Sequence, residues 1–196
     1  MTTTHQYLVT QDFDRYDLDG FMHKCAELGY KNNSSKKEMR WDWVTENMGA
    51  FWAFVRDDEI ISLSGCHPFP DIEDAYRIGY RSVVLPGTDP FKGISRYGYN
   101  AIPNRILFQY QIRFCQKIGV NRFILTTNSD RDGHMDMSHR MEIQINKYTN
   151  LCNYLGDRKI FNSVQSLWEY DVNVYIDTIS KLQPEPYYII DELKKC

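Results

Sequence analysis

The stretch SVVLPGTDPFKGISRYGYNAIPNRI, residues 82–106, sets the frame for the whole chain. It begins as an apolar strand end, Val83-Val84-Leu85-Pro86, and passes through a loop rich in glycine and aromatic residues. It then enters a helix, because Ile102, Ile106, Tyr110, Phe114 and Ile118 recur every four residues along one face. Pro103 is tolerated in a first turn, and Gly119 suits the stop. Residues 122–127 (RFILTT) follow as a buried-looking strand, and residues 75–85 (AYRIGYRSVVL) form the strand before the loop. Two strands joined by such a helix are expected to lie parallel, since a parallel pair needs a long crossover.

Outward from this centre, residues 6–10 alternate as a short strand. Leu18, Phe21, Met22, Cys25 and Leu28 describe one helical face that Gly29 closes. Residues 31–37 read as a loop, and residues 39–47 as a short helix with Trp41 and Val44 inward. Residues 49–56 and 59–66 read as strands around a tight turn at Asp57-Asp58. Pro68, Pro70, Asp71, Glu73 and Asp74 mark a loop. Downstream, residues 128–138 are a polar loop, and Met141, Ile145, Tyr148, Cys152 and Leu155 build a further helical face up to Gly156. Residues 166–175 alternate like a strand, and the tail after Pro186 is a short helix or an added strand. The expected fold is α/β, a mixed central sheet flanked by helices. One domain over residues 1–180 is expected, with residues 181–196 as a C-terminal tail.

Composition narrows the function classes. Of the 196 residues, 42% are hydrophobic and 25% charged, near the globular norm. Lys and Arg number 23 against 26 Asp and Glu, a net charge of −3, which lacks the basic footprint of a nucleic-acid binder. No apolar run approaches the roughly 18 residues of a membrane span, so no membrane partner is expected. The start MTTTHQYLVTQDFD lacks the charged and apolar parts of a secretion signal, and a cytoplasmic location is the expectation. The five cysteines are widely spaced with no CxxC pair, which reads as reduced thiols. Asn32 and Asn33 each open an Asn-x-Ser sequon, read as chance in a chain without a secretion signal.

The element order, over residues 6–175, resembles the GNAT superfamily of N-acetyltransferases: strand, two helices, three antiparallel strands, helix, strand, helix, strand. The resemblance implies transfer of an acetyl group from acetyl-CoA to an amine by direct attack in a ternary complex. It also implies a pyrophosphate loop of the form Gln/Arg-x-x-Gly-x-Gly/Ala at the N-terminus of the central helix, where backbone N–H groups and the dipole favour anions. The nearest text is Arg96-Tyr97-Gly98-Tyr99-Asn100-Ala101, one residue short before Gly98 and one long after it. The cofactor-side residues implied are Leu85, Arg96, Gly98, Ala101, Arg105 and Asn128, the last at the place of an Asn that often follows the second parallel strand. The family's Leu-Tyr-x-x-Leu-Gly-Phe, whose Tyr protonates the departing thiolate, corresponds to Leu151-Cys152-Asn153-Tyr154-Leu155-Gly156-Asp157. Cys152 stands in the Tyr position, and Tyr148, one helical turn earlier, is the substitute acid.

Aminolysis of a thioester needs a neutral amine, hence a general base. Glu73 is the first choice, with Asp74 and Glu59 behind it; Asp71, Glu73 and Asp74 also form an acidic rim suited to a cationic amine. The catalytic set is therefore Glu73, Tyr148 and Cys152, and the acceptor a small-molecule or peptide amine. His134 and His139 with Asp132 and Asp136 lack a metal-ligand motif and read as a solvated loop leading to a helix cap, so no metal is expected. Cys66-His67 would face opposite sides of a strand, which disfavours a thiol nucleophile. Exposed aromatic surface and the tail suggest a homodimer. The competing function is a GNAT-fold binding or interaction module that has lost CoA binding. The off-register glycine and Cys152 in the Tyr position both favour it.

Overall fold

The computed structural model describes residues 7–84, 101–128, 137–160, 163–181 and 189–191. Leu85, Arg96, Gly98, Asp132, His134, Asp136 and Cys196 lie outside the described residues. The chain divides into two compact units: Met1–His67, Gly79–Gln111 and Pro184–Cys196 form the first, Pro68–Ile78 and Ile112–Gln183 the second.

In the first unit, β1 (Tyr7–Thr10) pairs antiparallel with β2 (Ala50–Arg56), and β2 with β3 (Glu59–Pro68). The β2–β3 turn has positive φ at both Asp57 and Asp58, the backbone of a two-residue type I′ hairpin, as the sequence suggested. A C-terminal strand, β8 (Ile189–Asp191), adds parallel to β1, so the tail supplies the strand rather than the helix. Helix α1 (Leu18–Glu27) is capped by Asp17, whose side chain accepts from the Gly20 N–H. With α2 (Trp41–Glu46) it covers one face of the strands: Phe21, Met22 and Val44 share a core with Phe51, Ala53 and Leu63. The other face meets α3 (Ala101–Lys117), where Gln111 donates to the Ser64 hydroxyl at 2.8 Å and Asn104 Oδ1 lies 3.3 Å from the Ser62 hydroxyl.

Strand β4 (Ala75–Val83) begins in the second unit and ends in the first. Near its middle Tyr80 has φ +55, a left-handed backbone that costs a non-glycine residue about 1–2 kcal/mol. Asn33 Nδ2 holds this point from across the first unit, donating to the Tyr80 carbonyl at 2.5 Å and to the Ser82 hydroxyl at 2.8 Å.

In the second unit β4 pairs parallel with β5 (Arg122–Thr127) through Ala75↔Arg122, Tyr76↔Phe123 and Arg77↔Ile124. The parallel step expected from residues 75–127 is therefore present, with α3 as its crossover in sequence. On its other edge β5 pairs antiparallel with β7 (Ser163–Asp171), and β7 with β6 (Cys152–Ile160).

Three expectations need correction. The helical face drawn from Met141 to Leu155 ends early: α4 spans Met137–Tyr148, and Cys152, Tyr154 and Leu155 belong to β6. Thr149 makes the exit, its hydroxyl donating to the Ile145 carbonyl at 2.6 Å and accepting from the Leu151 N–H at 3.2 Å. Cys152 and Tyr148 thus do not share a helical face. The strand drawn over residues 166–175 stops at Asp171, whose carboxylate accepts from the Val174 N–H and caps α5 (Val172–Lys181). Finally, two strands follow α4 where one was expected, because the segment assigned to the helix end supplies the extra one.

Candidate functional site

The second unit holds a cavity of about 330 Å³ between α4 and the β6–β7 hairpin. His139, Ile143 and Asn146 line it from α4, at the four- and three-residue spacing that puts them on one face. His139 is fixed by the end of β5: its Nδ1 lies 2.9 Å from Thr127 Oγ1, which also accepts from Trp168 Nε1 at 2.8 Å. The imidazole meets the Trp168 ring edge-on, centroids 5.6 Å apart. With Nδ1 occupied by Thr127, Nε2 is the nitrogen left for the cavity.

The opposite wall depends on a backbone irregularity. Tyr154 pairs with Trp168, Gly156 with Leu167 and Asp157 with Ser166, so Leu155 is an extra residue in β6. Gly156 takes φ +96 there, the left-handed conformation of a bulge glycine. Residues three apart on a regular strand face opposite sides. The bulge restores the count and puts Tyr154 and Asp157 on the same face. Asp157 Oδ1 accepts from the Tyr154 hydroxyl at 2.7 Å and from the Ser166 hydroxyl at 2.6 Å. These bonds, Ser166 first, hold the carboxyl below its ordinary range, with a smaller contribution from nearby His139. The Tyr154 phenol is pushed up, chiefly because its proton is held by Asp157. Its ring stacks obliquely on Trp168, centroids 4.9 Å apart.

Behind this wall lies a buried group. The Tyr170 hydroxyl donates to Glu142 Oε2 at 2.5 Å. The Cys152 thiol, 2% exposed, lies 4.0 Å from the Glu142 carbonyl oxygen. Burial, then the Glu142 carboxylate, pushes the Cys152 thiol up to about 12 and drives the Tyr170 phenol upward too.

Of the residues singled out from the sequence, Glu73, Ala101, Arg105, Asn128, Tyr148 and Cys152 lie in described segments. Tyr148, the last residue of α4, is 69% exposed and off the His139–Ile143–Asn146 face. Cys152 is interior. Glu73 is exposed before β4, and its main-chain carbonyl accepts from Arg122 at 3.3 Å. Ala101 is the first residue of α3 and Arg105 is exposed one turn on; that first turn carries no acidic residue. Asn128 directly follows β5, and its Oδ1 is buried with no hydrogen-bond partner among the described residues. The cavity residues Tyr154, Asp157 and Trp168 were missed, and His139 was weighed only as a loop or metal residue. The available signal was the Gly156 step, which reads equally as a helix stop.

No protein-family model matches the chain, and no curated protein matches its sequence. Solved structures do match. A GNAT-family acetyltransferase from Staphylococcus aureus Mu50 aligns over 86% of this chain and 99% of its own, with TM-score 0.54 and 9% identity. This chain has the GNAT fold. An aminoglycoside 6'-acetyltransferase type Ii covers 84% of the chain with 97% of its own length, TM-score 0.56 and 13% identity. BjaI, a CoA-dependent acyl-homoserine lactone synthase also solved with SAM and isopentyl-CoA, covers 98% with 96% of its own, TM-score 0.58 and 9% identity. At such identities the shared GNAT fold is a likeness of backbone path, which the mixed strand directions and flanking helices described above account for.

Proposed function

We propose that this chain transfers an acyl group, acetyl in the first instance, from a CoA thioester to an amine acceptor. The observation that carries it is the parallel β4–β5 step within a GNAT fold, with α3 entering between the two strands in sequence. The first turn of α3 has no acidic side chain to compete for its N-terminal dipole, which suits a diphosphate. Arg96, Gly98 and Arg105 are the proposed phosphate partners, with Leu85, Ala101 and Asn128 along the cofactor.

In the transfer, the amine lone pair attacks the thioester carbonyl, the C–S bond breaks and CoA leaves as a thiolate. A base takes one ammonium proton before attack, the nitrogen loses a second as the tetrahedral intermediate collapses, and the departing thiolate takes one up from an acid or water, so that one proton is released overall. Glu73, an exposed carboxylate, is the base proposed from the sequence. Cys152 is a poor acid: a thiol near 12 would give its proton uphill to a thiolate of ordinary pKa, about 8.5. Tyr148, exposed, is the better of the two. A thermal-shift titration with acetyl-CoA, against CoA and ATP, tests binding, since a ligand selective for the native state must raise the midpoint. Release of CoA from acetyl-CoA with a panel of amines tests turnover.

One observation favours the second reading, a GNAT-fold module without catalysis. The residue in the family's acid position is interior and held by its neighbours rather than presented to a cleft. No thermal shift and no CoA release above background would decide for the module.

A further inference from the structure

The geometry points to the α4–β6–β7 cavity as a binding site for a small organic ammonium ion. Asp157 presents a carboxylate whose Oδ1 is filled by the Tyr154 and Ser166 hydroxyls. Both hydroxyls are donors, so they keep the group ionised and leave Oδ2 as the acceptor for a ligand. Tyr154, 47% exposed, puts an open aromatic ring beside that carboxylate. Trp168 backs the ring and His139 closes the side. A carboxylate bonded to the hydroxyl of an exposed tyrosine suits an ammonium group: the carboxylate accepts its N–H bonds, and the tyrosine ring face attracts a cation within about 6 Å. The apolar stem meets Ile143.

The arrangement does not suit an anion, because the lining carries the Asp157 carboxylate and no lysine or arginine. Nor does it suit a metal ion, since no group of three His, Cys, Asp or Glu side chains converges among the described residues. The cavity's volume, about 330 Å³, accommodates a small ligand of the size of benzylammonium. The site goes beyond the acyltransferase reading, because it requires neither CoA nor turnover.

The test uses the full chain, without CoA, and benzylammonium with benzyl alcohol as its neutral counterpart. The readout is the NMR shift of the Trp168 indole N–H, which is held by Thr127 beside the cavity. Benzylammonium should shift it saturably, and benzyl alcohol should bind at least tenfold more weakly. That arm needs no variant. Asp157→Asn, which keeps an oxygen for both hydroxyls but removes the charge, should weaken benzylammonium at least tenfold. Tyr154→Phe, which keeps the ring, should weaken it much less than Tyr154→Leu. Equal binding of the alcohol and the ammonium ion, or undiminished binding to a folded Asp157→Asn chain, overturns the proposal. So does absence of any saturable shift. Failure of the acyltransferase reading is read separately, as absence of CoA release and of a thermal shift with CoA, and leaves the outcome of this binding test unaffected.

Discussion

Asn33 opens a sequon, yet it is 3% exposed and holds the left-handed Tyr80 through two hydrogen bonds. Asn33→Ala leaves the Tyr80 carbonyl and Ser82 hydroxyl without these donors. It should destabilise the protein by about 1–3 kcal/mol, read as a lower urea midpoint with unchanged slope. At Asp157 the sign of pH dependence follows from its lowered pKa. The unfolded carboxyl titrates near 3.9, so the native bonds contribute stability above that pH, and the contribution fades as pH falls through the lower native pKa. Ser166→Ala should raise the Asp157 pKa in a carboxyl NMR titration, and no movement would show the Ser166 bond to be inconsequential. Cys152 behaves oppositely. Its pKa of about 12 means the native thiol keeps a proton that the unfolded chain releases near 8.5. Stability from this group is therefore present below about pH 8.5 and declines as pH rises towards the native value. Iodoacetamide at pH 8 should spare Cys152 in the native chain and modify it in urea; ready native labelling would contradict its burial. None of these roles was legible in sequence, because each is fixed by contacts between separate elements or across the β6 bulge: Asn33 with β4, Asp157 with Tyr154 and Ser166, Cys152 with Glu142 of α4.

At the scale of elements, periodicity located the helices and strands well where one face is apolar over several turns. It worked for α1, whose Phe21, Met22 and Cys25 are buried, and it located α3, although the buried face there runs through Leu107, Gln111 and Cys115 while Ile106, Tyr110 and Phe114 are only half-buried. It failed at residues 149–156, where Cys152 and Leu155 extend the helical spacing of Met141, Ile145 and Tyr148 by coincidence. There Thr149 ends α4 and Gly156 serves a strand bulge. Gly156→Ala tests that role. A Cβ would meet nothing within 4 Å, so the cost comes from φ +96 alone, about 1–2 kcal/mol. The melting midpoint should fall accordingly, and an unchanged midpoint would mean the bulge conformation is not required. The same blindness hid the cap at Asp171. Asp171→Ala should cost about 0.5–2 kcal/mol by leaving the first turn of α5 uncapped, and circular dichroism should show some loss of helix.

At the scale of the molecule, β1 has a strand on each side, β2 and β8. Deleting residues 184–196 would strip the parallel partner from Tyr7, Leu8 and Val9, and the shortened chain should melt lower and aggregate more through its open edge. Acetyl-CoA at a hundred times its Kd should stabilise the full chain by about 2.7 kcal/mol if the proposed function holds. The sequence by itself determined the α/β class and the parallel strand–helix–strand centre. Those follow from apolar spacing and from the length of connection that a parallel pair requires. It also placed α1, α2 and the β2–β3 hairpin, all of which depend on neighbouring residues. Only the tertiary structure decided that residues 152–160 are a strand, that Cys152 is interior and Tyr148 outside, and that His139, Tyr154, Asp157 and Trp168 face one cavity. The physical reason is that a bulge, a cap and a pocket are made by pairing between segments. Local periodicity carries no record of which partner each residue will meet.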